Sequence, residues 1–232
     1  MPFTLAHPAA VLPLPLVMGR ACIFSALVIG SIAPDLPYFL GDPLQRKTTH
    51  SLHSLLWFSL PAGWAVYLAF ELAMRRAVVF VLPRPLRARL RSTPQLAEYG
   101  PVTLCILLGA LTHLAWDAVT HELGSYALLQ VMNSLLGLVV IAGATLRWLQ
   151  RTEPRPLPPT SQALEYRRFV ARILVVATFV CMSPVAALWI HMTGGQAHPV
   201  LTSGHALLTG LGFSAALLVC GGVWLERGGL KS

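Results

Sequence analysis

Charge is what this sequence has least of. Of its 232 residues only 11% are Asp, Glu, Lys or Arg, while 55% are hydrophobic; an ordinary soluble domain carries about a quarter charged residues. That scarcity, with a mean hydropathy of +0.65, excludes an ordinary soluble globular protein and points to a membrane protein. Cysteine is scarce too. Cys22, Cys105, Cys181 and Cys220 stand singly in apolar segments with no C-x-x-C spacing, which excludes a disulfide framework and a thiolate zinc site and leaves them as small packing residues. No Lys or Arg precedes Arg20, and no small-residue cleavage pattern follows a compact apolar core, so a removable signal peptide is not expected.

Acidic residues are outnumbered, giving a net charge of +8, but the basic residues are not laid out for nucleic acid. Six arginines fall between 75 and 91, six more between 147 and 172, and Arg227 and Lys231 end the chain. If these three regions are cytoplasmic, the intervening segments alternate across a bilayer and the positive-inside rule is obeyed. The basic charge then reports topology and contact with anionic head groups.

Long apolar runs are abundant. Segments 53–74, 100–120, 126–146, 173–193 and 201–225 each have enough residues to cross a hydrocarbon core about 30 Å thick at about 1.5 Å per residue. Residues 1–34 are equally apolar but carry Pro13, Pro15 and Gly19 in their middle. A continuous helix would leave His7 and Asp35 about 35 Å apart; a break would make a re-entrant hairpin with both at one end. Interior prolines disrupt a helix strongly, which favours the hairpin. The expected fold is an all-α polytopic membrane helical bundle with five full spans and this N-terminal re-entrant hairpin. Residues 75–100 suit either a segment on the membrane surface or a solvated loop. The proline-rich stretch 151–162 reads as an extended, exposed linker between a half at 1–150 and a two-span half at 163–232.

Against this background, "GALTHLAWDAVTHELG" is conspicuous. His113, Asp117 and His121 are four apart, so on a helix they drift only about 80° in total and can face one cavity. Ionisable groups at membrane depth are expensive and usually serve a pathway, a partner or a metal. In "TTHSLHS", His50 and His53 share a face if the first full span starts there, with Thr48 or Thr49 as its cap. His50 is the better ligand, being nearer the outer surface and the loop that carries Asp35. Asp35 itself sits between Pro34 and Pro37, so it cannot lie within a regular helix and its carboxylate is fixed on a stiff turn. Alone it would be a turn residue; beside His7, His50, His113, Asp117 and His121 it becomes a bridging carboxylate. Imidazole and carboxylate ligands suit zinc, and also manganese or iron. Six candidates exceed one tetrahedral ion and suit one or two metals.

The motifs "MPFTLAHPAAVLPL", "ALVIGSIAPDLPYF", "THSL" and "GALTHLAWDAVTH" resemble those of an uncharacterised bacterial family of small polytopic membrane proteins. The pattern is also similar to that of the metal-dependent hydrolases of bacterial inner membranes. More remotely it resembles the zinc-dependent phospholipase C and single-strand nuclease fold. The resemblance covers residues 1 to about 125. It implies that His7, Asp35, His50, His113, Asp117 and His121 are metal ligands.

The functional expectation is a membrane-embedded metal-dependent hydrolase of lipid-linked phosphoesters, using metal-bound hydroxide. It would lie in the bacterial cytoplasmic membrane with its site on the extracytoplasmic side, and Asp35 would bridge metals or orient the nucleophile. Arg46 and Lys47, the basic residues of that side, are either steering groups for an anionic head group or solvated loop charges. His53 is a weaker candidate for substrate contact. Two alternatives stand beside it: a divalent metal transporter, which a His-x-x-x-Asp step within a span also suits, and an assembly factor in which the metal is only a staple.

Overall fold

A computed structural model describes residues 4–39, 46–122, 127–157, 159 and 161–192, and every regular element among them is helical. The chain divides into two compact units, Met1–Tyr67 with Ala97–Leu146, and Leu68–Leu96 with Arg147–Ser232.

Among the described residues three helices are long and apolar enough to cross a membrane: Leu55–Val81, Tyr99–Thr120 and Val131–Arg151. These correspond to the first three expected spans. The first runs on to Val81 because Arg75 and Arg76 at the old boundary continue the helix, and arginine is a good helix former. Segment 173–193 falls on helix Gln162–Met192, whose later side chains, like the whole of 201–225, lie outside the described residues.

The first unit is built on the N-terminal hairpin. After a 3-10 turn at Thr4–Ala6 come the short helices α1 (Pro8–Val11) and α2 (Leu14–Met18), separated where Pro13 interrupts the ladder. The reversal comes later, at Gly19–Ile23, where Gly19 has φ 53°, a conformation that L side chains rarely adopt. Helix α3 (Phe24–Ile32) then returns, followed by a 3-10 turn at Ala33–Asp35, α4 (Leu36–Phe39) and α5 (Arg46–Thr49). The chain thus turns back as the prolines and glycine predict, and Thr4 donates a hydrogen bond to Asp35 Oδ2 across the hairpin's open end.

The first long helix comprises a π-helical turn at Leu55–Ser59, α6 (Leu60–Ala69), a second π turn at Phe70–Met74 and α7 (Arg75–Val81). Beyond it lie α8 (Arg84–Arg87), α9 (Tyr99–Glu122), α10 (Ala127–Arg151) and α11 (Gln162–Met192).

What holds α3 against α9 is the absence of side chains. A Cβ on Gly30 would lie 2.3 Å from the Ile106 carbonyl oxygen, and one on Gly109 would lie 2.3 Å from the Leu27 carbonyl oxygen and 2.7 Å from the Ser31 nitrogen. The two backbones therefore meet directly, the close approach that small residues permit where lipid supplies no hydrophobic drive between helices. Gly63 of α6 takes the Ile106 side chain in the same way, and Gly137 of α10 takes Ala6. Trp64 stacks on Tyr99 and donates to Thr103 at 3.2 Å.

The second unit is held by arginine. Arg75 donates twice to the buried Glu71 carboxylate, once at 2.6 Å, and the Gln95 amide adds a bond of 3.0 Å. Arg172 donates to the Val81 carbonyl at 2.6 Å, Arg89 to that of Thr152 at 2.6 Å, and Arg87 and Arg168 both to Glu165. The hydrogen bond from Arg168, with that from Arg87 behind it, holds the exposed Glu165 carboxyl below its ordinary value. The stretch 153–157 is irregular and mainly exposed, as its prolines dictate.

Candidate metal centre

Five residues from four parts of the sequence converge in the first unit. His7 comes from the turn before α1, Asp35 from the 3-10 turn after α3, His50 from the chain after α5, and His113 and Asp117 from successive turns of α9. His7, Asp35 and His113 are fully buried, and Asp117 nearly so. The rings of His7 and His113 are stacked with centroids 3.9 Å apart.

The nitrogens are aimed by backbone carbonyls. His113 Nδ1 lies 2.7 Å from the Ser31 carbonyl oxygen, and His7 Nδ1 lies 3.1 Å from that of Thr4. A carbonyl only accepts, so each Nδ1 carries the proton and each Nε2 of a neutral ring presents a lone pair to the interior. The Gly30–Gly109 crossing makes the first of these bonds, since Ser31 follows one glycine and His113 lies one turn after the other.

Those lone pairs meet other acceptors. His7 Nε2 is 3.2 Å from Asp117 Oδ1, and His113 Nε2 is 3.2 Å from His50 Nε2 and 3.6 Å from Asp35 Oδ1. His50 Nε2 lies 3.0 Å from Asp35 Oδ1 and 3.7 Å from Asp117 Oδ2. Asp35 is anchored through Oδ2 by Thr4, yet its buried Oδ1 accepts no hydrogen bond, with His50 Nε2 beside it at 3.0 Å. A buried oxygen left so is costly, and lone pairs facing carboxylates call for positive charge between them.

The separations fit a cation. Ligands on a tetrahedral ion with bonds of about 2.0–2.1 Å are about 3.3 Å apart, and the contacts here run from 3.0 to 4.0 Å. His7, Asp35 and His113 form one group, and His50, His113 and Asp117 another, whose ligand atoms all lie within 4.8 Å of one another and could hold a metal ion. Both groups use His113, whose one free nitrogen serves one ion. They are therefore overlapping faces of a single centre.

Of the remaining sequence candidates, His53 is exposed and contributes to neither group. Residues 50–53 form bends and turns and the long helix starts only after them, so the two histidines do not share a helical face as the spacing suggested. The side chains of His121, Arg46 and Lys47 lie outside the described residues. Sequence reasoning missed Thr4 and the Ser31 carbonyl, the groups that orient Asp35 and His113. A hydroxyl three residues before a candidate ligand was the available signal for Thr4; the carbonyl left none.

No curated protein and no solved structure matches the chain. A family profile described as Domain of unknown function (DUF4184) matches residues 1–127, a stretch that includes all five converging residues and the hairpin that gathers them. The chain belongs to that DUF4184 family.

Proposed function

We propose that the protein is a membrane-embedded metal-dependent hydrolase acting on lipid-linked phosphoesters. The observation that carries this reading is the convergence of His7, Asp35, His50, His113 and Asp117 at ligand-to-ligand separations. Zinc suits this nitrogen and oxygen set, with manganese or iron as substitutes. Bound there, a divalent cation would supply Lewis acidity and lower the pKa of water towards neutrality.

The chain's own residues do the rest. Ser31 and Thr4 fix the tautomers of His113 and His7 through their carbonyls, so the nitrogens that face the ion need no proton moved. Thr4 holds Asp35 through one oxygen and leaves Oδ1 aimed at the centre, where it ligates the ion or takes the proton of an attacking water.

Depth favours hydrolysis over transport. Within the span Tyr99–Thr120, His113 and Asp117 lie about 10 Å and about 5 Å from the Thr120 end, and Asp35 and His50 come from turns outside the spans. A carrier would place its ion near the bilayer midplane, reachable from both faces. The arginine clusters at 75–91 and 147–172 support an orientation with this end of α9 on the extracytoplasmic side of a bacterial cytoplasmic membrane; Ser125→Cys should label with an impermeant thiol reagent, and protection of that cysteine in intact cells would reverse the orientation.

The deciding experiment is elemental analysis of the purified protein beside Asp35→Ala and His113→Ala, followed by hydrolysis assays on phospholipids in detergent. About one equivalent of metal in the parent, loss of it in both variants with folding intact, and chelator-sensitive phosphate ester cleavage are expected. Equal metal content in all three proteins would remove the proposal.

A further inference from the structure

A cleft of about 940 Å³ lies alongside the candidate centre, lined chiefly by apolar groups of α1, α9 and α10. It shares walls with the centre. Ala10 is one turn after His7, and Thr112 and Trp116 precede His113 and Asp117, about 100° round α9. Its volume is within the range that holds a small amphiphile.

Four polar side chains line it, and they divide into two pairs. The hydroxyls of Thr112 and Thr120 are satisfied by the carbonyls of Gly109 at 2.7 Å and Asp117 at 3.0 Å. Trp116 Nε1 and Asn133 Nδ2 are buried and have no hydrogen-bond partner among the described residues. Unmatched buried donors are expensive and normally find an acceptor. These two stand in a wall made by helices long and apolar enough to span a bilayer, where the abundant ligand is lipid.

We infer that this cleft binds the acyl chain of an ester-linked membrane phospholipid, with Trp116 Nε1–H and Asn133 Nδ2–H donating to its ester carbonyl oxygens. Hydrocarbon fills the apolar walls, and the carbonyls next to the glycerol meet the two donors. A polyprenyl phosphate, with no acceptor along its chain, would leave both donors unmatched. That this lipid is also the substrate rests on the hydrolase reading; its binding does not.

The test is native mass spectrometry of the full-length protein in detergent, titrated with dioleoyl phosphatidylglycerol, its dialkyl ether counterpart and undecaprenyl phosphate. The ester lipid should bind about tenfold more tightly than the ether, the scale of two modest buried hydrogen bonds. Asn133→Leu and Trp116→Phe should each bring that ratio down to about threefold, and the two together close to one, while melting temperature and metal content stay at parent values. Equal affinity for ester and ether in the parent protein overturns the inference without recourse to any variant, as does preference for the prenyl phosphate. Cross-linking of Leu136→Cys to residues 201–225 of the same chain, or to a second copy, would show that protein fills the cleft and would equally overturn it. Metal content of the same samples separates the two ideas: ester preference without metal leaves the lipid site standing and removes the hydrolase, while metal without ester preference does the reverse.

Discussion

Both units bury carboxylates in a largely apolar chain, and they neutralise them in opposite ways. In the second unit Glu71 is clamped by two donors from Arg75 and one from the Gln95 backbone, so its charge is matched within the chain. In the first unit Asp35 Oδ1 accepts no hydrogen bond, and His113 and His7 beside it have their protons turned outward to carbonyls, while His50 Nδ1 meets the Thr49 hydroxyl. A guanidinium closes a site, because it fills the space and offers five fixed donors. Imidazole lone pairs leave a site that could hold an ion. The same residue class, a buried acid, is thus matched within the chain in one unit and set among candidate metal ligands in the other.

The sharpest way to break this contrast is to remove one acid from each side. Asp117→Ala should abolish metal retention, measured by elemental analysis, while Glu71→Gln should keep the full equivalent and lower stability by about 3 kcal/mol, as breaking a buried pair does. Metal loss in the Glu71 variant, or none in the Asp117 variant, would erase the distinction.

Next in size is the crossing that positions the first unit. Gly109→Ala forces a methyl group against the Leu27 carbonyl, which should cost about 1–3 kcal/mol in a thermal melt and weaken metal binding through His113. The exposed stretch 153–157 offers the control, since alanine there should leave both readings unchanged.

Smaller again is the anchor of Asp35. Thr4→Val removes the hydroxyl but keeps the shape, and metal affinity in a competition titration should fall by about 10–100-fold, the usual effect of losing a group that orients a ligand. His53→Ala, at an exposed position, should leave affinity where it was.

The smallest contrast is pH. Protons compete with a metal for its ligand atoms, so lowering pH from 8 to 5 should weaken metal retention. Glu165 runs on a different scale: its folded pKa is depressed, so its stabilising contribution is complete above the ordinary value of 4.5 and is lost only as pH falls through the lowered one. Salt-dependent unfolding of the second unit should therefore be flat across the interval in which metal leaves the first.

Much of this arrangement was legible from the chain. The four-residue step from His113 to Asp117 survives translation into structure because a helix preserves it, and Asp35 was readable because two prolines permit only a turn. The prolines and Gly19 also told that residues 1–34 double back, although the reversal falls at Gly19–Ile23 rather than at the prolines. What failed was His50 against His53 as a helical pair, since a three-residue spacing means one face only inside a helix and the residues there are bends. Gly30 and Gly109 gave no signal, because nothing along the chain links them and their meeting exists only between helices. The Thr4 hydroxyl and the Ser31 carbonyl are likewise products of tertiary placement. His121, Arg46 and Lys47, together with the fifth span, fall outside what the structure describes.

The contact of main chain with main chain at Gly30 and Gly109 has an implication for how freely this protein can vary. No rotamer stands between the two helices to yield, so their spacing acts like a dowel, fixed by peptide geometry instead of by side-chain choice. Residues facing the lipid can drift through many alternatives without shifting the imidazoles by a fraction of an ångström, whereas a single methyl group at the dowel is felt one helical turn away.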